Sequence, residues 1–284
     1  MTYFMSVALG FLQGVAEFLP ISSSGHLTLF QYFFGMEEPD QLFNVLLHFA
    51  TLLAVCVVYW RDIWEMIVEF FRFFGDVFSR GTYRGSPPEA RRMVLLIIVG
   101  TLPLFLVLPI QDKVEAIGNH PVFVCVALLV TGCILFFSDR MGQGRKTVRN
   151  ATLLDVLLVG VAQGCATVPG LSRSGCTISA GMVRGFDRKF AVRYSFLMSL
   201  PAVLGATLLE VLDVMKLEGG IPKENLTMYL VGMAVAAVVG YFSIQLVKLL
   251  ADKGRFGAFA FYCWGAGALF LLLNMMGWTL VKPV

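Results

Sequence analysis

The chain has 284 residues, of which 57% are hydrophobic and only 14% charged, with 25 phenylalanines and a formal net charge of +3. That is too apolar for a water-soluble domain of this size; the modest charge is spread over loops, says nothing about nucleic acid, and is of use for topology. The bilayer is the natural solvent for such a sequence.

The first twelve residues carry no Lys or Arg and run straight into Gln13 and Glu17. They lack the basic start and small-residue cleavage site of a signal peptide, so the N-terminus is expected to be retained. A polar segment, residues 10–26, comes next. Apolar runs long enough to cross the hydrocarbon core, about 18 to 20 residues, then recur at 43–60, 93–110, 121–138, 190–212, 226–250 and 256–281. Between the first two, Phe70, Phe71, Phe73 and Phe74 mix with Glu69 and Arg72, the pattern of an amphipathic helix lying at the interface. A second polar segment, residues 160–177, interrupts the apolar sequence between the third and fourth runs. The six cysteines form no Cys-x-x-Cys pair and have no zinc-ligand spacing, which predicts free thiols and no structural metal cluster.

The two polar segments are related. At an offset of 150, Gly10, Gln13, Gly14, Ala16, Ser22, Ser24 and Gly25 match Gly160, Gln163, Gly164, Ala166, Ser172, Ser174 and Gly175. Each copy is a short apolar helix, a proline (Pro20, Pro169), a Ser/Gly turn and another short apolar stretch. A break at membrane depth leaves backbone groups unpaired unless protein or water satisfies them, so each copy reads as a re-entrant hairpin lining a cavity. The connectors 61–92, 140–149, 184–193 and 248–255 are rich in Lys and Arg, whereas 37–40, 111–120 and 213–224 are acidic or balanced. The basic set is expected to be cytoplasmic. With that assignment the hairpins enter from opposite sides. The predicted fold is an all-α integral membrane protein: one membrane domain, 1–284, built as an inverted-topology repeat (about 1–140 and 150–284). It would have about six transmembrane helices plus two re-entrant hairpins, with the site where the breaks meet.

Gln13 and Glu17 share one helix face. An ionisable group at this depth costs several kcal/mol unless paired or wet, which marks Glu17 as functional; snorkelling or capping of the next turn is the plainer alternative. Ser22, Ser23, Ser24, Gly25 and His26 form a helix cap whose free N–H groups suit an anion, and Ser23 and His26 are spaced to act as nucleophile and base. In the second copy Arg173 is suited to bidentate phosphate binding, among the hydroxyls and N–H groups of Ser172, Ser174, Gly175 and Thr177. A structural ion pair with Glu17 is its other role, and both can coexist. His48 either faces the cavity or bonds a neighbouring helix, while Ser195, Ser199 and Thr207 suit packing as well as substrate contact.

The segment Gln13-Gly14-Val15-Ala16-Glu17-Phe18-Leu19-Pro20-Ile21-Ser22-Ser23-Ser24-Gly25-His26, together with Pro169 to Thr177, resembles the two signature motifs of the bacterial undecaprenyl-pyrophosphate phosphatases of the bacitracin-resistance type. The likeness extends over essentially the whole chain, including the stretch Ser195 to Pro201. It implies hydrolysis of the C55 isoprenyl pyrophosphate to the monophosphate carrier of cell-wall synthesis. A Mg2+ or Ca2+ ion would be required, in the bacterial cytoplasmic (inner) membrane, with the site open toward the outer, periplasmic face. By position, Glu17 would hold the cation with Gln13, Ser23 and His26 would take part in attack, and Arg173 would clamp the pyrophosphate. Ser22, Ser24, Gly25, Ser172, Ser174, Gly175 and Thr177 would complete the phosphate site. Gln13 stands where other members often have Glu, so a two-carboxylate metal site is not what this sequence offers.

The alternative from another class is a lipid transporter or flippase, since inverted repeats with broken helices are typical of carriers. A carrier needs no nucleophile. The other membrane lipid phosphatases, with Pro-Ser-Gly-His and Ser-Arg-x5-His motifs, are a poorer match, because Ser179 follows where their histidine is needed. The predicted partners are the isoprenyl pyrophosphate lipid and the membrane, with no nucleic acid; homo-oligomerisation is left open.

Overall fold

A computed structural model describes residues 2–33, 41–78, 88–118, 120–141, 144–216 and 225–277. Twelve α-helices are described: α1 (Tyr3–Ala16), α2 (Ser23–Phe33), α3 (Gln41–Val58), α4 (Trp60–Phe78), α5 (Glu89–Thr101), α6 (Gln111–Gly118), α7 (Pro121–Asp139), α8 (Leu153–Cys165), α9 (Arg173–Val183), α10 (Arg188–Lys216), α11 (Leu226–Asp252) and α12 (Gly257–Met275). Among the described residues no strand forms beyond an isolated bridge between Lys146 and Phe186. Five helical stretches are long and apolar enough to cross a membrane, and α3 with α4 makes a sixth if the pair, bent by 87°, is one span. The chain is therefore an all-α protein of multi-pass membrane type. The acidic connector with Glu37, Glu38 and Asp40, and residues 217–224 of the other, lie outside the described residues, as do residues 278–281 of the last predicted span.

Local chemistry sets the helix ends. Thr152 and Asp155 form a reciprocal capping box at the start of α8, and Ser172 caps α9 by accepting from Gly175 N at 3.0 Å. After α5, Pro103 and Pro109 lie in two short 3-10 turns, where their missing N–H groups are tolerated. The amphipathic segment around Phe70 is helical, part of α4, with Phe71 and Phe73 exposed and Glu69 buried against Arg72 and Arg91.

The polar segments are broken helices of 14 and 11 residues in the first copy and 13 and 11 in the second, all too short to cross alone. Each packs on a helix of the other half through glycine. Gly10 on α1 lies so close to Gly232 on α11 that a Cβ would collide with its carbonyl, and Gly160 on α8 stands in the same relation to Gly100 on α5. Association in lipid depends on close packing of this kind, since burial from water gives no drive there. The long helices α7 and α12 pair, α10 packs on α3 and α5, and large apolar side chains such as Phe11, Phe137 and Phe242 remain on the outside, as a lipid-facing surface requires.

The four basic connectors meet at one end of the bundle. Arg92 donates to the carbonyls of Val148 and Ala151, Lys146 and Arg184 hold buried Asp155, Arg188 pairs with Asp139, and Arg193 pairs with Asp62. Asp139 also accepts from Gly257 N, which ties the start of α12 to the same end.

Candidate active site

The two hairpin turns meet. Ser22 Oγ donates to the Leu171 carbonyl at 3.3 Å and Ser174 Oγ to the Leu19 carbonyl at 3.5 Å, a reciprocal pair of bonds between the copies. Gly25 and Gly170 allow the contact: a Cβ on Gly25 would stand 2.9 Å from the Gly170 Cα. Gly170 has φ +94, which glycine adopts without steric cost. Ser22, with φ 72, is the described non-glycine residue held in the left-handed region, a conformation that persists only where its surroundings fix it.

Around this junction the polar side chains converge on Glu17. Its Oε2 accepts from Ser23 Oγ at 2.7 Å and Gln13 Nε2 at 3.0 Å, and His48 Nδ1 lies 3.1 Å away; its Oε1 is paired with Arg173. The Glu17 side chain is only 6% exposed and Arg173 22%. A carboxylate so buried is stable only with donors on both oxygens; α1, α2 and α9 supply them, and α3 adds His48 when its Nδ1 carries a proton. Arg173 therefore does form the ion pair that the sequence offered as one of its two roles. His48, whose direction the sequence left open, turns toward the carboxylate and lies 2.9 Å from Gln13 Nε2; its tautomer sets which of the two it bonds.

Two buried atoms at this centre have no partner: Gln13 Oε1, an acceptor, and Arg173 NH1, a donor. Such groups are uncommon in native proteins and are expected where a ligand supplies the missing bond. Glu17, His48 and Arg173 line a narrow crevice with Thr51 and Ser199, walled by Phe18, Leu52, Val55 and Val203. Among the described residues no group of three or more His, Cys, Asp or Glu gathers to hold a metal ion. Oxygen donors of the kind Mg2+ or Ca2+ takes are present in Glu17 and the unpartnered Gln13 Oε1, with Gln13 presenting its Nε2 to the carboxylate.

The other predicted residues are placed less directly. His26 is bound on both ring nitrogens, Nδ1 to the Ser22 carbonyl at 2.8 Å and Nε2 to Tyr262 OH at 2.9 Å, with the two rings stacked 5.6 Å apart. Because a carbonyl only accepts, Nδ1 carries the proton and Nε2 receives the tyrosine O–H when the ring is neutral. Ser23 gives its hydroxyl to Glu17, so the structure brings Ser23 to the carboxylate and His26 to Tyr262. Ser172 Oγ meets Ser174 Oγ at 3.3 Å, and Gly25 N donates to Ser22 Oγ. Ser24 Oγ lies 3.5 Å from Ser22 Oγ. Thr177, predicted as a phosphate contact, is buried and bonds the Arg173 carbonyl and Ser195 Oγ, fixing α9 to α10. Ser199 bonds within its helix to the Phe196 carbonyl while lining the cleft. Tyr262 had no signal in the sequence, since it sits in a uniformly apolar stretch 236 residues from His26.

Comparison with known proteins points in one direction. Over residues 6–269 the chain matches the family described as "Bacitracin resistance protein BacA". It is 37% identical over 278 residues, covering 97% of this chain and 100% of the relative, to an undecaprenyl-diphosphatase of Alkaliphilus metalliredigens. An undecaprenyl-diphosphatase of Halothermothrix orenii is 37% identical over 274 residues, covering 96% and 98% of the two chains. One from Treponema denticola is 40% identical over 266 residues, covering 92% and 94%.

Proposed function

Because the chain belongs to the bacitracin resistance protein BacA family, we propose that it hydrolyses undecaprenyl pyrophosphate to undecaprenyl phosphate and inorganic phosphate. The reaction takes place in the bacterial cytoplasmic membrane at a site open to the outer face. It recycles the lipid carrier of cell-wall synthesis and thereby confers bacitracin resistance. The observation that carries this reading is the Glu17 carboxylate shared between the Ser23 hydroxyl and the Arg173 guanidinium, a nucleophile and a phosphate-binding cation joined through one base.

The pyrophosphate lies against Arg173, whose free NH1 donates to a phosphate oxygen and offsets charge as the bridging bond breaks. Ser23 Oγ then forms a bond to the terminal phosphorus and passes its proton to Glu17, while the bridging P–O bond breaks and its electron pair leaves on undecaprenyl phosphate. In the second half, water attacks the phosphorus, the Oγ–P bond breaks, and the proton on Glu17 returns to Ser23. Gln13 Oε1 and Glu17 would hold a divalent cation, which supplies positive charge for the phosphate oxygens. His48 and Gln13 keep the carboxylate turned toward Ser23.

A carrier has no use for a serine hydroxyl held at 2.7 Å by a buried carboxylate. The test is phosphate release from undecaprenyl pyrophosphate by purified protein in detergent, with Mg2+ or Ca2+ and with EDTA. Release that needs the cation and is lost in Ser23→Ala supports the reading. Binding of the lipid with no release in either cation sinks it.

A further inference from the structure

A large apolar groove lies outside this centre, between the second half of α7, α8 and α9, with a volume of about 780 Å³. Pockets that bury a whole small ligand fall within roughly 300–1,000 Å³. Its walls offer no polar group a partner. Ser138 and Ser179 bond each other at 2.8 Å, and Arg184 at the far end is turned onto Asp155. Only an apolar occupant loses nothing there.

The groove starts beside the catalytic junction. It begins at Leu171, whose carbonyl accepts from Ser22, and at Cys176, in the first turn of the helix that opens with Arg173. From there it follows α9 to Arg184, at the end where the basic connectors gather.

The repeat shows that the space is built into the second copy. At the offset of 150, Ala162, Cys165, Cys176 and Ala180 in the groove correspond to Leu12, Val15, His26 and Phe30 in the first copy. At these four positions the second copy has the smaller side chain, whereas Leu158 in the groove is larger than its counterpart Ala8.

We propose that this groove holds the isoprenoid tail of the substrate, the first several units beyond the pyrophosphate. This rests on the hydrolysis proposed above. The direction of the groove supports an outer-leaflet substrate: with the basic end cytoplasmic, a lipid whose headgroup enters from the outer face has its tail pointing inward along α9. A lipid drawn from the inner leaflet would have to reverse its course to use it.

Two measurements test the proposal. Cys133 and Cys165 are exposed groove residues, and Cys56 on α3 lies away from it. Undecaprenyl pyrophosphate should slow alkylation of Cys133 and Cys165 by N-ethylmaleimide in the wild-type protein about tenfold, a discrimination within reach of an apolar pocket. Cys56 should be unaffected. Equal protection by phosphatidylglycerol, or none by undecaprenyl pyrophosphate, overturns the assignment. The second measurement uses Ala180→Phe, which restores the residue of the first copy midway along the groove. It should lower kcat/KM for undecaprenyl pyrophosphate about tenfold while leaving a C5 substrate, isopentenyl pyrophosphate, too short to reach Ala180, unchanged. A parallel fall on both substrates, or no change on either, counts against the groove. Wild-type protein that releases phosphate from neither substrate would instead sink the hydrolysis reading, and the cysteine protection would still decide what the groove holds.

Discussion

Replacing Arg173 separates its two roles, partner to Glu17 and donor to the substrate. Its terminal nitrogens are differently engaged: NH2 is paired with Glu17, and NH1 is buried without a partner. Arg173→Ala removes both, and loss of a donor aimed at developing charge costs about 2.7–4 kcal/mol, or roughly 10²–10³ in kcat. Arg173→Lys keeps the charge as a single point but cannot reach both sides. It forfeits the NH1 bond, about 1.5–3 kcal/mol for a charged acceptor, which corresponds to roughly 10- to 150-fold. Stability behaves differently. Arg173→Ala leaves Glu17 buried and uncompensated except by Gln13, Ser23 and His48, which should cost about 3 kcal/mol. Adding Glu17→Gln to that variant removes the stranded charge and should recover much of the loss, while activity stays low. Phosphate release from undecaprenyl pyrophosphate and thermal unfolding in detergent, followed on all four members of the cycle, give both quantities. Wild-type turnover by Arg173→Lys would remove NH1 from the mechanism. Stability effects of the two single changes that add within about 0.5 kcal/mol would show that the ion pair couples nothing.

Other expectations follow from the same geometry. Gln13→Glu places a second carboxylate where a neutral oxygen now stands, and the half-saturating Mg2+ concentration for phosphate release should fall about tenfold; an unchanged value would show that this position is not a ligand. Tyr262→Phe removes the bond to His26 Nε2 but keeps the stacked ring, so kcat should drop about two- to tenfold, in line with about 0.5–1.5 kcal/mol for one hydrogen bond. If only Tyr262→Ala is impaired, the stacking rather than the hydroxyl holds His26. Asp155→Asn leaves Lys146 and Arg184 facing a neutral group in place of their shared partner. It should lower unfolding stability by about 3 kcal/mol in a detergent melt, and a melt within error of wild type would make the network dispensable. Gly160→Val drives a side chain into the Gly100 backbone and should cost at least about 1–3 kcal/mol in the same assay. Gly205→Ala, where nothing stands within 4 Å, should change it by less than about 0.5 kcal/mol.

The sequence by itself determined the apolar, all-helical character, five of the six predicted long spans and the two broken segments, because each is a property of contiguous residues. Apolar length decides whether a helix crosses, and Pro20 and Pro169 with their Ser/Gly turns break the chain wherever they fold. It also singled out Glu17, Ser23 and Arg173, since charge and hydroxyls are costly at that depth and stand out against phenylalanine and leucine. It did not decide which of these groups touch. Ser23 and His26 share one side of α2, yet one bonds Glu17 and the other Tyr262, because the neighbouring helices α1 and α12 bring different partners to each. Arg173 reaches Glu17 across 156 residues, and His48 joins them, only because glycine contacts at Gly10 and Gly160 seat each hairpin against the opposite half. The groove beside α9 was equally hidden. Small residues at Ala162, Cys165, Cys176 and Ala180 are unremarked in a list of letters, and become a cavity only when three helices surround them.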